Sequence, residues 1–231
     1  MNIGSNGLQA VLFDLDGVIV DTARYHYQAW KWIADTEEIY FNEVINERLK
    51  GVSRMESLHI IMERRKREYT GEELEQLAGE KNRYYVSLLE QLVPEDILSG
   101  VLPFISDARK YGIKTAICSA SKNTDIILEK LKISSLFDTV VSGNDTVRSK
   151  PDPQVFSIAA RRLRIPAKNC LVIEDSAAGI EAAISGGMKS IGIGEQERLF
   201  KANFVVPATE GLHLETAQSL FGFPPVETQR T

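Results

Sequence analysis

Asp14 and Asp16 close the apolar run Ala10-Val11-Leu12-Phe13, and Gly17 follows them directly. Two carboxylates so close repel: unit charges about 4 Å apart at an effective dielectric near 20 cost roughly 4 kcal/mol. The pair calls for a cation or a raised pKa, and hard oxygen donors favour magnesium. Taken alone it equally fits a capped turn whose carboxylates accept backbone hydrogen bonds. Further polar groups stand at equivalent places along the chain. Lys114-Thr115-Ala116-Ile117-Cys118 ends at Ser119, and Cys170-Leu171-Val172-Ile173 ends at Glu174 and Asp175. Lys150 lies between them in Ser149-Lys150-Pro151-Asp152-Pro153, stiffened by its prolines. Glu174-Asp175 alone would also serve to cap a helix starting near Ser176. Together the set holds carboxylates, a hydroxyl and an ammonium, the parts that phosphoryl transfer asks for.

These residues share one topological position, the end of an apolar strand. Runs at 10–13, 114–118, 139–142, 170–173 and 190–193 alternate with helical patterns at 104–111, 123–132, 153–163 and 177–185. That alternation predicts an α/β fold, a doubly wound parallel sheet with helices on both faces and chemistry beyond the carboxyl ends of its strands. Between about Thr22 and Val93 no β run appears, while 25–35, 53–69 and 71–92 read as amphipathic helices. The chain thus divides into a discontinuous core, 1–21 and 94–231, and a helical cap, 22–93, joined by links near Thr22 and Pro94 positioned as a hinge pair. Tyr25, Tyr27, Trp32, Tyr84 and Tyr85 read as core aromatics; Trp30 is carried as a candidate pocket residue. The segment from Phe221 to the C-terminus is expected to lack regular structure.

The chain has 231 residues, 43% hydrophobic and 26% charged, with a net charge of −5. This is the composition of a globular protein, and its charge argues against nucleic-acid or acidic-membrane partners. The basic run Arg64-Arg65-Lys66-Arg67 is flanked by Glu63 and Glu68 and reads as a solvated helix face. Cys118 and Cys170 each fall within an apolar strand, so buried thiols are expected. His26, His59 and His213 make no zinc pattern. Without an apolar stretch of membrane length or a secretory signal, the expected location is the cytoplasm and the default state a monomer.

The ordered set Phe13-Asp14-Leu15-Asp16-Gly17-Val18-Ile19-Val20-Asp21-Thr22, Ser119, Lys150 and Glu174-Asp175 resembles the haloacid dehalogenase-like superfamily of phosphotransferases from about residue 8 to about residue 206. With Lys50-Gly51-Val52-Ser53-Arg54 it is similar to the branch that moves phosphate between positions of a sugar, although Val20 stands where threonine is common. The resemblance implies Asp14 as nucleophile, Asp16 as general acid/base, and magnesium held by Asp14, the Asp16 carbonyl, Glu174 and Asp175. It implies phosphoryl contacts from Ser119 and Ala120, with charge balance from Lys150. Arg54 with Ser121, Lys122 and Asn123 would hold a second phosphate. Lys50 to Ser57, including Gly51, Val52, Ser53 and Ser57, would survey the sugar, and Lys81 would add a polar contact. His26 lies four positions after Thr22, so both can fall on one helix face, and the resemblance places them in the coupling of cap closure to Asp16. Glucose 1,6-bisphosphate is the implied intermediate and priming donor, and a sugar phosphate the implied substrate. Rival readings are a sugar-phosphate phosphatase, a dehalogenase, a phosphonate hydrolase using Lys50 or Lys81, and a non-catalytic sugar-phosphate sensor.

Overall fold

The computed structural model describes residues 7–222. Its strands are β1 (Ala10–Phe13), β2 (Lys114–Cys118), β3 (Thr139–Val141), β4 (Cys170–Glu174), β5 (Lys189–Ile193) and β6 (Phe204–Val206). They form one sheet in the order β3-β2-β1-β4-β5-β6, every pairing parallel. The chain reverses direction across the sheet at β1. Ala10 and Phe13 pair with Lys114 and Ile117 on one side and with Cys170 and Ile173 on the other. The register carries Asp14 level with the ends of β2 and β4, at the crevice where doubly wound sheets bind ligands.

Strand residues alternate between two apolar layers. Val11 and Phe13 pack with Phe104 and Ile105 of α5 (Val101–Lys110), Ile127 of α6 (Thr124–Leu131) and Leu214 of α9 (Leu214–Ser219). Ala10 and Leu12 pack with Phe156 of α7 (Gln154–Leu163) and Ala183 of α8 (Ala177–Ser185). Both faces are covered, which is why the strands read as continuous apolar runs. The Phe13 ring meets Phe104 and Phe137 edge-on, with centroids 6.0 and 6.1 Å away.

Between β1 and β2 the chain carries α1 (Ala23–Thr36), α2 (Glu43–Glu47), α3 (Arg54–Met62) and α4 (Gly71–Leu89). These helices enclose a separate apolar cluster that includes Trp30, Ile33, Ile45, Leu58, Ile61 and Leu77. Tyr25, Ala29, Tyr85, Leu89 and Leu92 instead join the core of the sheet, so the base of the insertion is packed into it. The two links run side by side: Val20 bridges Ile97, and Leu98 N donates to Ile19 O at 2.9 Å.

Several sequence expectations need correction. The helix expected over 53–69 stops at Met62, because the apolar stripe of Leu58, Ile61 and Met62 has no successor among the charges that follow. Arg64 to Arg67 therefore lie beyond the helix, and pairs such as Lys66–Glu38 at 3.2 Å and Arg67–Glu73 at 2.7 Å neutralise them. Strand β6 and helices α2 and α9 were not expected, and α4 ends at Leu89 rather than residue 92. Trp32 and Tyr84 are exposed, stacked edge to face at 5.3 Å, not core. Both cysteines are buried and unpaired. Phe221 and Gly222 form a turn, and the remaining C-terminal residues lie outside the described ones. No helix among the described residues is long and apolar enough to cross a membrane.

Candidate active site

The turn after β1 is built by apolar anchors: Leu15, Val18, Ile19 and Val20 are fully buried, and the Ile19 amide donates to Leu15 O at 2.9 Å. Gly17 has φ +82, and a Cβ there would stand 2.5 Å from Asp175 Oδ2, so only glycine fits. The turn thereby sets Asp14 and Asp16 beside the end of β4.

Asp14 is 5% exposed. Its carboxylate accepts from the Lys150 ammonium, which also reaches Glu174 Oε2 at 2.8 Å. Glu174 Oε1 accepts from Ser176 Oγ at 2.7 Å and from the Ser176 and Asp175 amides. Glu174 is thus held by Lys150 and the β4–α8 turn, while Asp175 faces the cavity with the Lys50 ammonium 3.5 Å away. Burial and the Glu174 charge lift Asp14 well above the usual carboxylate range, against the pull of Lys150. Burial and Glu174 also push Asp175 up to about 7. For Lys150, burial lowers the pKa, but Asp14 and Glu174 more than offset this and raise it. Carboxylate oxygens of Asp14, Glu174 and Asp175 lie within 4.8 Å of one another, a hard-donor set that could hold a divalent cation.

Asp16 has different surroundings. Its Oδ1 accepts from the buried Thr22 hydroxyl, and His26 Nε2 stands 3.8 Å away. Burial raises its pKa, and the Thr22 bond opposes the rise. His26 Nδ1 is 2.8 Å from Lys81 Nζ. Burial, then the Lys81 and Arg54 charges, holds the His26 pKa well below its ordinary value. With Lys81 donating to Nδ1, the neutral ring carries its proton on Nε2, toward Asp16. Lys81 is itself lowered to about 7 by burial and Arg54, and its ammonium lies over the Trp30 and Tyr85 rings at 4.8 and 4.5 Å.

A cavity of about 720 Å³ separates the strand ends from the insertion. Asp14, Asp16, His26, Trp30, Lys50, Gly51, Val52, Ser53, Arg54, Ser57, Lys81, Ala120, Ser121, Lys122, Asn123 and Asp175 line it. Thr22, Ser119, Lys150 and Glu174 lie buried outside this lining. Ser119 Oγ accepts from the Ser121 amide at 3.0 Å, which leaves its hydroxyl proton to donate. Gly51 has φ +75 and approaches Ser176 so closely that a Cβ would meet its Oγ at 2.7 Å, where insertion and sheet touch. Arg54 starts α3 behind a capping box made by Ser53 and Glu56.

Sequence reasoning missed Asn82. It lines the same cavity, and its Oδ1 accepts from Arg54 Nη2 at 2.7 Å and Asn123 Nδ2 at 2.8 Å. The available signal was a small and polar stripe on α4, Glu75, Ala78, Gly79 and Asn82, at helical spacing beside Lys81.

Residues 8–187 match the family described as haloacid dehalogenase-like hydrolase. The chain belongs to that family. Among relatives of this haloacid dehalogenase-like protein, the β-phosphoglucomutase of Bacillus subtilis is 41% identical over 90% of the chain and 93% of that protein. A phosphorylated carbohydrates phosphatase of Thermotoga maritima is 29% identical, covering 80% of the chain and 84% of that protein. Among solved structures, a β-phosphoglucomutase from Clostridium difficile superposes with a TM-score of 0.89 at 42% identity, over 93% of this chain and 97% of that one.

Proposed function

We propose that the protein is a magnesium-dependent β-phosphoglucomutase, interconverting β-D-glucose 1-phosphate and glucose 6-phosphate through glucose 1,6-bisphosphate. The observation that carries this reading is that one cavity is lined both by Asp14 and Asp16 and by Arg54, Ser121, Lys122 and Asn123. A phosphatase hands its phosphoryl group to water and needs one anion site. A mutase must also hold a second phosphate while a sugar hydroxyl attacks, in a closed space that keeps water out. The likeness to two β-phosphoglucomutases supports the same reading.

In the first half-reaction the phosphoryl group carried on an Asp14 carboxylate oxygen passes to the sugar 6-hydroxyl, and Asp16 takes the hydroxyl proton. The bisphosphate then reorients. Asp14 attacks the phosphorus at C1, and Asp16 returns the proton to the departing O1, giving glucose 6-phosphate and the aspartyl phosphate again. Lys150 balances charge on Asp14, and the Ser119 hydroxyl and Ala120 amide donate to the phosphoryl oxygens. Thr22 and His26, backed by Lys81, orient Asp16. Arg54 with Ser121, Lys122 and Asn123 anchors the second phosphate, while Gly51 to Ser57 and Trp30 enclose the sugar. Residues 22–93 act as a cap on a core of residues 1–21 and 94–231, in a cytoplasmic monomer.

Asp14, Glu174, Asp175 and the Asp16 carbonyl would hold magnesium, which when bound neutralises charge on the transferring oxygens. Its affinity is expected to fall from about pH 8 to about pH 5.5, because the ion must displace protons. Asp175 takes one up near 7, and Asp14, also raised, adds to the competition. Calorimetric titration at several pH values checks this; constant affinity would mean these carboxylates do not hold the ion.

The deciding experiment follows glucose 6-phosphate formation from β-glucose 1-phosphate with magnesium and a trace of glucose 1,6-bisphosphate, with free phosphate measured in the same sample. Conversion with little free phosphate supports the mutase, and rapid phosphate release makes the protein a phosphatase. Arg54→Ala is expected to lower mutase kcat/KM by roughly 10- to 100-fold, the worth of a charge-assisted contact. Hydrolysis of a small phosphomonoester should fall far less, and equal losses would remove Arg54 from the second phosphate site.

A further inference from the structure

Lys81 and Lys150 are the buried lysines among the described residues, and they keep opposite company. Lys150 is 1% exposed and lies against the carboxylates of Asp14 and Glu174, which hold it as an ammonium. Lys81 is 2% exposed and has no carboxylate beside its nitrogen; the Trp30 and Tyr85 rings and His26 Nδ1, at 2.8 Å, surround it instead. The charges that face it are Arg54 at the start of α3 and Asp16 in the turn after β1, while His26 of α1 and Tyr85 of α4 are its titratable contacts.

An ammonium stripped of water, with no anion paired to it, favours loss of its proton. The ring faces and Asp16 attract the cation, but burial and Arg54 prevail and bring Lys81 to about 7. About half of this side chain is then free amine at neutral pH, against less than roughly one part in 10³ for an ordinary lysine. The neutral amine can donate one N–H to His26 Nδ1 and keep its lone pair, the form in which a lysine acts as a nucleophile.

The cavity supplies the other half of a site. Lys81 lines it together with Arg54 and Lys122, cations that suit an anionic group. Its volume of about 720 Å³ admits a ring-sized molecule. A compound with a phosphate at one end and a carbonyl at the other matches both features.

We propose that Lys81 is a covalent acceptor site for phosphorylated aldehydes, which condense with its side-chain nitrogen to form an imine. The nitrogen lone pair attacks the carbonyl carbon, a C=N bond replaces the C=O bond, and the oxygen leaves as water. Both protons of that water come from the amine, and His26 Nδ1 is placed to relay them. Imine formation needs only the amine and the cavity, so it does not depend on the mutase reading.

The probe is pyridoxal 5′-phosphate, applied to the intact wild-type protein, with borohydride reduction to fix the adduct and peptide mass mapping to locate it. At about pH 7, Lys81 should carry at least about tenfold more adduct than Lys50 or Lys122, the other lysines on the cavity. Its labelling should climb from about pH 6 to about pH 8 and then level off, because the amine is fully neutral above its pKa, whereas surface lysines should keep gaining to about pH 10. Pyridoxine 5′-phosphate, which has no aldehyde, should slow the labelling and leave no adduct of its own. Adduct on Lys50, Lys122 or surface lysines with Lys81 unmodified would overturn the proposal. So would Lys81 labelling that rises with pH in parallel with surface lysines, or that pyridoxine 5′-phosphate does not slow, since either would mark chance collision and not a site.

Discussion

Asp14→Ala is expected to abolish mutase turnover, by roughly 10⁴-fold or more, while the protein still folds. The catalytic part of this expectation follows from chemistry: alanine has no oxygen to carry the phosphoryl group, and the neighbouring Lys150 and Ser119 can only balance charge and donate hydrogen bonds. The folding part follows from the crowding of charge. Asp14 is almost wholly buried, and burial with the Glu174 charge already disfavours its ionised form. Removing it relieves that repulsion, and Lys150 keeps its 2.8 Å contact to Glu174, so no buried cation is orphaned. Phosphoenzyme formation followed by mass spectrometry, alongside thermal unfolding, separates the two effects. A sugar-phosphate sensor would keep its function in Asp14→Ala, whereas an enzyme loses it. Turnover surviving at more than about one part in a thousand would mean that another group accepts the phosphoryl.

The contrast between Asp14 and Lys81 explains why part of this site was legible in the strand pattern itself and part came only through the family resemblance. Asp14, Ser119, Glu174 and Asp175 stand one after another at the ends of buried parallel strands. Hydrophobic burial on both faces makes those runs visible, and register alone brings their ends together. The helical insertion offers no such ruler. Lys81 is buried against Trp30 and Tyr85 beside His26 only because α1 and α4 pack together, and pairwise helix packing leaves no fixed spacing in the chain. Asn82 is harder still to foresee. A helical asparagine is ordinary, and its partners Arg54 and Asn123 stand 28 and 41 positions away along the chain. The missed elements have a related cause: β6 has 3 residues and α2 has 5, too few to establish a period. In α3 the error ran the other way. Charges after Met62 can extend a helical pattern on paper, but without an apolar face to bury they cannot sustain one against the sheet or the insertion core.

Asp16→Asn is expected to lower mutase kcat by about 10²- to 10⁴-fold, the range for loss of a positioned general acid/base. Asparagine preserves the shape and the bond from Thr22, so the fold and the contacts of the helical insertion should persist. What it cannot do is take a proton from the 6-hydroxyl or return one to O1. The effect should therefore depend on the leaving group. Phosphorylation of Asp14 by acetyl phosphate, whose departing carboxylate needs no proton, should be slowed far less than transfer from glucose 1,6-bisphosphate. The pH dependence has a definite sign as well. Burial raises the Asp16 pKa, so its acid form persists to higher pH than for an ordinary aspartate, and it can serve as acid in one half-reaction and base in the other. With the cycle needing both forms, the wild-type kcat profile should be bell-shaped, and the Asp16 limb should vanish in the asparagine variant. Equal slowing with acetyl phosphate and bisphosphate would show that Asp16 acts on the phosphoryl group itself, through charge or metal, and not on the sugar oxygen.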